Sequence, residues 1–114
     1  MHYLTVSFSH KNSTIEIREK LTYPNEKSVN GCLTKLNSSD EINETILIST
    51  CNRMEIFCSC SDIVAAKEHV FNMLSERAGI SIEELQERAD VYDDSTAIHH
   101  LFSVASALDS IVTG

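Results

Sequence analysis

Two apolar runs separated by a short polar segment constrain the fold more than any other feature of the sequence. Residues 45–48 precede the segment and residues 54–58 follow it, and both runs contain β-branched or aromatic side chains. Such runs are typical of β-strands, so the five polar residues 49–53 between them predict a hairpin connection. Because a rigid scaffold would hold this loop, Cys51 and Arg53 within it are candidates for chemistry rather than packing.

The chain before the hairpin predicts one strand and two helices. Residues 1–8 alternate with the period of a half-buried strand. Ser13 followed by Glu16 predicts a capping box and a helix that runs to about Leu21. Pro24 suits the first turn of a second helix. The apolar stripe of this second helix is Val29, Leu33 and Leu36.

The chain after the hairpin predicts a long helix, a short helix and a weak strand. Asp62 is a candidate N-cap of the long helix, and Gly79 marks its end. Its apolar stripe is Ile63, Ala66, Val70 and Leu74. Ser81 with Glu84 predicts a second capping box, which opens a short helix. Residues 91–92 predict a weak strand.

A last helix begins at Asp94 or Ser95 in this interpretation. Its predicted apolar face is Ile98, Leu101, Phe102, Ala105 and Leu108. The order strand, helices, strand, strand, helix, weak strand, helix fits the βαββαβ ferredoxin-like motif. The sequence therefore predicts one α+β domain over residues 1–114, with an antiparallel sheet and extra helices. The apolar periodicity of the last helix continues as far as Ile111, close to the end of the sequence. We therefore expect the chain to be a fragment.

The charge distribution argues against nucleic-acid contact along the length of the chain, so that any such contact would be local or made by parts beyond this chain. The net charge is −8; residues 1–53 carry six Lys/Arg and six Asp/Glu, whereas residues 54–114 carry three against eleven. A chain that binds nucleic acid along its length needs a basic face. No apolar run approaches the roughly 20 residues of a membrane span, and no signal or transit peptide is evident. We therefore expect a cytoplasmic protein whose thiols are reduced.

Four cysteines are present, and one differs from the others in its surroundings. Cys32, Cys58 and Cys60 lie in helix or strand patterns and are expected to behave as buried small hydrophobes. Their spacing lacks the paired CxxC of zinc sites, so we predict no metal site. Cys51 lies among polar residues and is a candidate nucleophile, because Arg53 would favour its thiolate and could bind a substrate carboxylate. A structural Cys51 and a solvated Arg53 remain open at this point.

Histidines and glycines add two further expectations. In the last helix, His99 is predicted to face solvent, whereas His100 is predicted to be a mostly buried core histidine. The chain has three glycines and no glycine-rich phosphate loop. It therefore carries no dinucleotide-binding fingerprint.

Three blocks of the sequence together resemble the N-terminal catalytic domain of glutamyl-tRNA reductases. The blocks are SHK at 9–11 with EIREK at 16–20, then LISTCNRMEIF at 47–57, then HLF, VAS and LDSIV within 100–112. The chain departs from the family pattern at 12–14, where Asn-Ser-Thr replaces Thr-Ala-Pro. It departs again at Ser103, Ala107 and Thr113. None of these departures affects Cys51.

The resemblance implies an enzyme that reduces the glutamate esterified to its tRNA, with NADPH, to glutamate-1-semialdehyde, a precursor of tetrapyrroles such as haem. It implies that Cys51 attacks the aminoacyl ester to form a thioester, which hydride then cleaves. It implies that His100 orients or polarises the reacting carbonyl. The residues implied in recognition of the glutamyl group are Thr50, Asn52, Arg53 and Ser110.

The resemblance also implies parts and partners beyond this chain. NADPH would be bound by a separate domain, the full-length enzyme would be a homodimer, and glutamate-1-semialdehyde aminomutase would receive the product. The fragment alone is not expected to be a competent reductase.

Two alternatives stay open. One is a ferredoxin-like ligand-binding or regulatory module with a structural Cys51. The other is a thiol redox protein, which would need a CxxC pair; Cys58 and Cys60 are separated by one residue and do not form one.

Overall fold

A computed structural model of the chain describes the backbone of residues 1–50 and 52–113 and, within these ranges, the side chains as far as Leu108. The strands in the described ranges are β1 (His2–Ser9), β2 (Ile42–Ser49), β3 (Arg53–Cys60) and β4 (Asp90–Asp93). The helices are α1 (Ile15–Leu21), α2 (Glu26–Asn37), α3 (Ile63–Ala78), α4 (Ile82–Arg88) and α5 (Asp94–Thr113). All the strand pairs are antiparallel, in the order β2-β3-β1-β4, which confirms the predicted α+β class.

The hairpin that the sequence predicts is present. Strands β2 and β3 pair up to Ser49 opposite Met54, and the amide of Thr50 donates to the carbonyl of Arg53 at 2.8 Å. Strand β1 lies on the other side of β3, with Ser7 opposite Glu55 and Ser9 opposite Arg53. The register therefore brings the end of β1 beside the start of β3, at the same end of the sheet as the turn.

Both faces of β1 are covered. Successive side chains of a strand point to opposite faces, and the buried residues of β1 run without a break from Leu4 to Ser9. One face packs in the apolar core beneath the helices, with Phe71 and Leu74 of α3 among its members. On the other face, the hydroxyl of Thr5 donates to the carbonyl of Ala97 in α5 at 3.3 Å.

Helix α5 is anchored at its first residue. Asp94 has a φ of 48°, in the left-handed region, and its carboxylate accepts a hydrogen bond from the amide of Tyr3 at 3.2 Å. This backbone hydrogen bond is the main cause that holds the pKa of Asp94 below its usual value. The ring of His2 lies 3.3 Å from the same carboxylate. The start of α5 is thereby tied to strand β1.

Two predicted helix starts are wrong by one or two residues. The N-cap of α1 is Thr14, whose hydroxyl accepts from the amide of Ile17, whereas the hydroxyl of Ser13 donates to the carbonyl of Ser9. Pro24 lies before α2, whose N-cap is Asn25. Asn is among the strongest N-cap residues, and here it forms a capping box with Ser28. In both cases the better-placed cap outcompetes the predicted start.

The remaining helix ends follow the sequence more closely. Asp62 caps α3, Gly79 ends it in the left-handed conformation, and Ser81 caps α4. The predicted apolar face of α5 is wrong, because among its described side chains Ala97 and Val104 are buried and Phe102 is 67% exposed. The face of α5 that packs on the sheet is the one whose small side chains fit there. It is not the most apolar face of the helix. No helix in the described ranges is both long and apolar enough to cross a membrane.

We expect alanine to have opposite effects at two glycines. Gly79→Ala places a Cβ at a φ of 68° and should lower the free energy of unfolding by about 1–2 kcal/mol. Gly31→Ala lies within α2, where an added Cβ meets nothing within 4 Å, and should raise it by about 0.5–1 kcal/mol. Urea unfolding of both variants measures the difference. Equal effects of the two substitutions would contradict the assigned C-cap.

Candidate active site

The turn between β2 and β3 is held by a threonine side chain. The hydroxyl oxygen of Thr50 accepts hydrogen bonds from the amides of Asn52, at 3.3 Å, and Arg53, at 3.2 Å. Asn52 itself is exposed. Cys51 lies outside the described residues, so its role as nucleophile stays a prediction. The residues on either side of it are fixed by the turn and by the pairing of the two strands.

Glu55 is the charged centre of this end of the sheet. It is 3% exposed, and one carboxylate oxygen, Oε1, lies 2.6 Å from Nε2 of His100. The other oxygen, Oε2, accepts from the hydroxyl of Ser7 at 2.5 Å and lies 3.5 Å from Nη1 of Arg53. A buried carboxylate is tolerated only when charges and hydrogen bonds compensate it. Glu55 therefore links strand β1, strand β3 and helix α5 through one group.

The position of Glu55 in the sequence was a signal that this carboxylate could have a functional partner. Met54, Ile56 and Cys58 alternate onto the buried face of β3, and Glu55 lies between them. A carboxylate in the middle of an apolar strand run indicates either an exposed face or a partner. Here the partners are His100 and Arg53, both of which the sequence analysis did single out.

His100 is oriented by two contacts. Besides its hydrogen-bonding contact with Glu55, its ring stacks on that of Tyr92, with 4.4 Å between centroids and 19° between planes. Its side chain is 20% exposed, so it is mostly buried, as predicted. A neutral ring that donates from Nε2 to the carboxylate leaves Nδ1 as an acceptor, and a protonated ring donates from both nitrogens. His99, its neighbour, is exposed, as predicted.

Tyr92 forms one wall of the site. Burial raises the pKa of Tyr92, and the negative charges of Asp90 and Glu55 raise it further. The phenol is therefore neutral at physiological pH and offers a hydroxyl and a flat ring. It contributes shape and stacking to the site rather than charge.

A cavity of about 260 Å³ opens between these residues, which we call the cationic cavity. Its lining includes Lys11, Arg53, Tyr92 and His100, together with Ser7, Ser9, Asp90, Ser103 and Val104. The cations of Lys11 and Arg53 can bind a carboxylate, and an Arg fork can do so with two hydrogen bonds. The histidine faces the same space. The cavity can thus hold an acidic ligand whose reacting group lies beside His100.

The predicted site residues are only partly brought together. Arg53 and His100 meet through Glu55 and the cationic cavity. The side chain of Thr50 serves the turn and lines a second cavity, on the side of helix α1. Ser110 belongs to the backbone of α5, but its side chain lies outside the described residues. Its predicted role therefore stays a prediction.

The other three cysteines are buried free thiols, as predicted. Burial raises the pKa of the Cys58 thiol to about 12, and burial also raises the pKa values of Cys32 and Cys60. Since the thiolate is the nucleophile, these groups are held in their unreactive form. None of the three is a competitor for the role predicted for Cys51.

Fold and site define an α+β domain that carries a buried carboxylate–histidine pair and a cationic cavity at the hairpin end of its antiparallel sheet. Residues 6–114 match the family model described as glutamyl-tRNAGlu reductase, N-terminal domain, and the chain belongs to this family. The resemblance seen in the sequence is thus confirmed.

Full-length relatives agree with the family assignment. The chain is 67% identical over 114 residues to the glutamyl-tRNA reductase of Sulfurimonas denitrificans and 53% identical to that of Nitratiruptor sp.. In both cases all of the chain is matched, and it spans 26% of the relative's length. Among solved structures, glutamyl-tRNA reductase from Methanopyrus kandleri shares the fold, with a TM-score of 0.62 and 23% identity. That match covers 94% of this chain and 23% of the other.

We expect the four cysteines to differ sharply in reactivity. Under brief treatment of the native protein with iodoacetamide at pH 7, Cys51 should be alkylated first. Cys58, with a pKa of about 12, is only about one part in 10⁵ thiolate at that pH, against a few per cent for an ordinary thiol. Peptide mass spectrometry measures the four rates.

Unfolding the protein in guanidinium chloride before alkylation provides the control, since all four thiols should then react at similar rates. Native-state alkylation of Cys58 or Cys32 at the rate of Cys51 would contradict the assignment of a reactive thiol to the hairpin.

Proposed function

We propose that this chain is the catalytic domain of an NADPH-dependent reductase that converts glutamyl-tRNA to glutamate-1-semialdehyde, the first step of tetrapyrrole biosynthesis. The observation that carries the proposal is the cationic cavity, which combines Lys11, Arg53 and an oriented His100 beside the hairpin that contains Cys51. Membership of the reductase family supports it. The alternative of a ligand-binding or regulatory module with a structural Cys51 is not favoured.

The glutamyl group of the substrate carries a side-chain carboxylate, and the cavity supplies the complementary charges. Arg53 has five N–H donors, and its contact with Glu55 uses one edge of the guanidinium. The remaining donors and the ammonium group of Lys11 are available for the substrate. Thr50, Asn52 and Ser110 complete the set of residues that we propose to recognise the glutamyl group.

The first chemical step is transfer of the acyl group to sulfur. The thiolate of Cys51 adds to the ester carbonyl, the C–O bond to the terminal ribose breaks, and the ribose oxygen takes up a proton equivalent to the one that the thiol released. His100 hydrogen-bonds to the carbonyl oxygen or to the leaving oxygen during this step, and Glu55 holds the imidazole in position. The product is a thioester on Cys51.

The second step needs a hydride, which NADPH supplies when bound by a domain beyond this chain. The residues of this chain do not fit a dinucleotide, because it has three glycines and no glycine-rich phosphate loop. The role of this chain is therefore to present the thioester and to keep the acyl carbonyl oriented. The chain alone is not expected to be a competent reductase, and no metal ion is part of the proposal.

The wider setting belongs to the same proposal. The antiparallel strand order β2-β3-β1-β4 supports the ferredoxin-like arrangement of the domain. We propose a cytoplasmic, homodimeric full-length enzyme. The aldehyde product is reactive, which supports direct transfer to glutamate-1-semialdehyde aminomutase.

Intact-mass analysis after mixing the chain with glutamyl-tRNA tests the covalent step. We expect a glutamyl-sized adduct that hydroxylamine removes, because thioesters are cleaved by this nucleophile. The adduct should be absent in Cys51→Ser and present in Cys32→Ala, whose thiol is buried. Release of free glutamate that Cys51→Ser does not slow would rule out the acyl-enzyme.

We expect His100 and Glu55 to act as a unit in the formation of the thioester. His100→Asn should slow this step by about 10²–10⁴-fold, as for loss of an acid–base group. Glu55→Gln should also slow it, and the double variant should be no slower than His100→Asn, because Glu55 acts through the imidazole. Single-turnover rates measure this, and the exposed neighbour variant His99→Asn is the control. Multiplicative effects of the two substitutions would show that Glu55 acts separately.

A further inference from the structure

Another cavity lies between helices α2 and α3, in the layer that covers the face of the sheet opposite to α5. We call it the α2–α3 cavity. Its volume is about 220 Å³, below the roughly 300–1,000 Å³ of sites for drug-sized ligands. A ligand that fills it is therefore small. The described lining residues are Tyr23, Ser28, Gly31, Cys32, Lys35, Met73 and Arg77.

The buried members of this lining form an apolar floor that contains two sulfur atoms. Cys32 and Met73 are both buried, and the thiol lies 3.9 Å from the thioether sulfur. The buried phenol of Tyr23 is a hydrogen-bond partner of the same thiol. A thioether sulfur makes favourable contacts with the edges of aromatic rings. The floor therefore favours a compact apolar group, and a flat ring in particular.

Two cations lie at the exposed rim of the cavity. Lys35 and Arg77 are the charged residues of the described lining, and both are exposed. Among the described residues, no carboxylate lies within ion-pair distance of either one. Glu76 lines the adjoining cavity and not this one. In a chain with a net charge of −8, the rim thus has a local charge of the opposite sign.

The guanidinium of Arg77 is held in place by the protein itself. Its Nη2 donates to the carbonyl of Thr22 at 2.6 Å, and the group lies 3.9 Å from the centroid of the Tyr23 ring. A guanidinium has five N–H donors, so donors remain for a ligand. Ordering a long side chain on binding weakens affinity, and Arg77 is already ordered.

Gly31 keeps the cavity open on the side of α2. An added Cβ at this position meets nothing within 4 Å, although the residue lies inside the helix. Glycine is less favourable in a helix interior than every residue except proline. Neither a close contact nor a positive φ requires glycine here. Packing therefore does not explain this residue, whereas a ligand in the space beside it does.

We propose that the α2–α3 cavity binds a small carboxylate whose body is one compact apolar group, such as an aromatic ring. The carboxylate lies between Lys35 and Arg77 and accepts hydrogen bonds from both. The ring lies on Met73, in the space beside Gly31. This cavity shares no lining residue with the cationic cavity, so the two sites bind their ligands separately.

Met73 provides a direct readout of binding by NMR. Carbon-13 labelling of the methionine methyl groups reports on Met1, Met54 and Met73, and Met54 is a core residue outside the cavity lining. Titration with sodium benzoate should shift the Met73 signal saturably, with a Kd of about 1 mM, as expected for a ligand of this size. The Met54 signal should stay unchanged. Met73→Leu identifies the signal by removing it.

Three further probes define the class of ligand. Benzamide has the shape of benzoate without its charge, acetate has the charge without the ring, and inorganic phosphate is an anion of different geometry. Each lacks either the charged contacts or the apolar contact. Each should therefore bind about 10-fold or more weakly than benzoate.

Substitutions of the lining have matched controls in the same chain. Gly31→Met fills the space beside α2 with a good helix former and should abolish benzoate binding in a protein that stays folded by circular dichroism. Lys35→Gln and Arg77→Gln should each raise the Kd about 10-fold. Asn30→Met and Lys20→Gln make the same changes at exposed residues outside the lining and should leave the Kd unchanged.

Four results would overturn the carboxylate site. Equal affinity for benzamide and benzoate would assign the cavity to neutral ligands. Phosphate binding as tight as that of benzoate, and weakened in Lys35→Gln, would replace the carboxylate by a phosphate group. Benzoate binding that survives Gly31→Met would place the ligand elsewhere, and no saturable shift of Met73 up to about 20 mM benzoate would exclude the site. The reductase function is unaffected by any of these results, because the two cavities share no residue.

Discussion

A single carboxylate buried at the end of the sheet determines how the rest of this site is arranged. Removing a charge from water costs several kcal/mol unless partners compensate it, and Glu55 obtains its partners from β1, β3 and α5. Each partner is fixed by a different part of the chain. The sheet register supplies Ser7, the position two residues back supplies Arg53, and the packing of α5 supplies His100. His100 is consequently tied to the sheet through Glu55, and its position depends on how α5 packs.

The sheet separates two chemically different environments. On the side of α5, the cations of Lys11 and Arg53 lie in the same cavity as His100, together with the carboxylate of Asp90. On the side of α1, the described lining residues carry one charge, that of Glu19, among hydroxyl and apolar side chains. The net charge of −8 does not predict this division, because the relevant cations are local and few. A domain with an acidic surface can therefore still offer a site for an acidic group.

The sequence predicts those features that depend on local patterns. The hairpin follows from two apolar runs and a polar connection, and the caps at Asp62 and Ser81 follow from residue type. The buried face of α5 does not, because hydrophobicity places Phe102 inward while the sheet accepts Ala97 and Val104. Glu55 was missed for a related reason: its partner His100 is 45 residues away, and no local pattern records such a contact. The family blocks identified His100 and Arg53 individually without showing that one carboxylate joins them.

Helix α5 has a mechanical consequence for the site. Its first residue, Asp94, is fixed to β1 through Tyr3, and His100 lies six residues, or about 9 Å, along an axis of about 30 Å. If the helix pivots as one rigid rod about its anchor, a displacement of about 3 Å at the far end moves His100 by about 1 Å. A movement of this size directed away from Glu55 lengthens the 2.6 Å contact to about 3.6 Å, beyond hydrogen-bonding range. A displacement of the far end of α5 that also loosens the packing of Val104 would in this way reach the buried carboxylate.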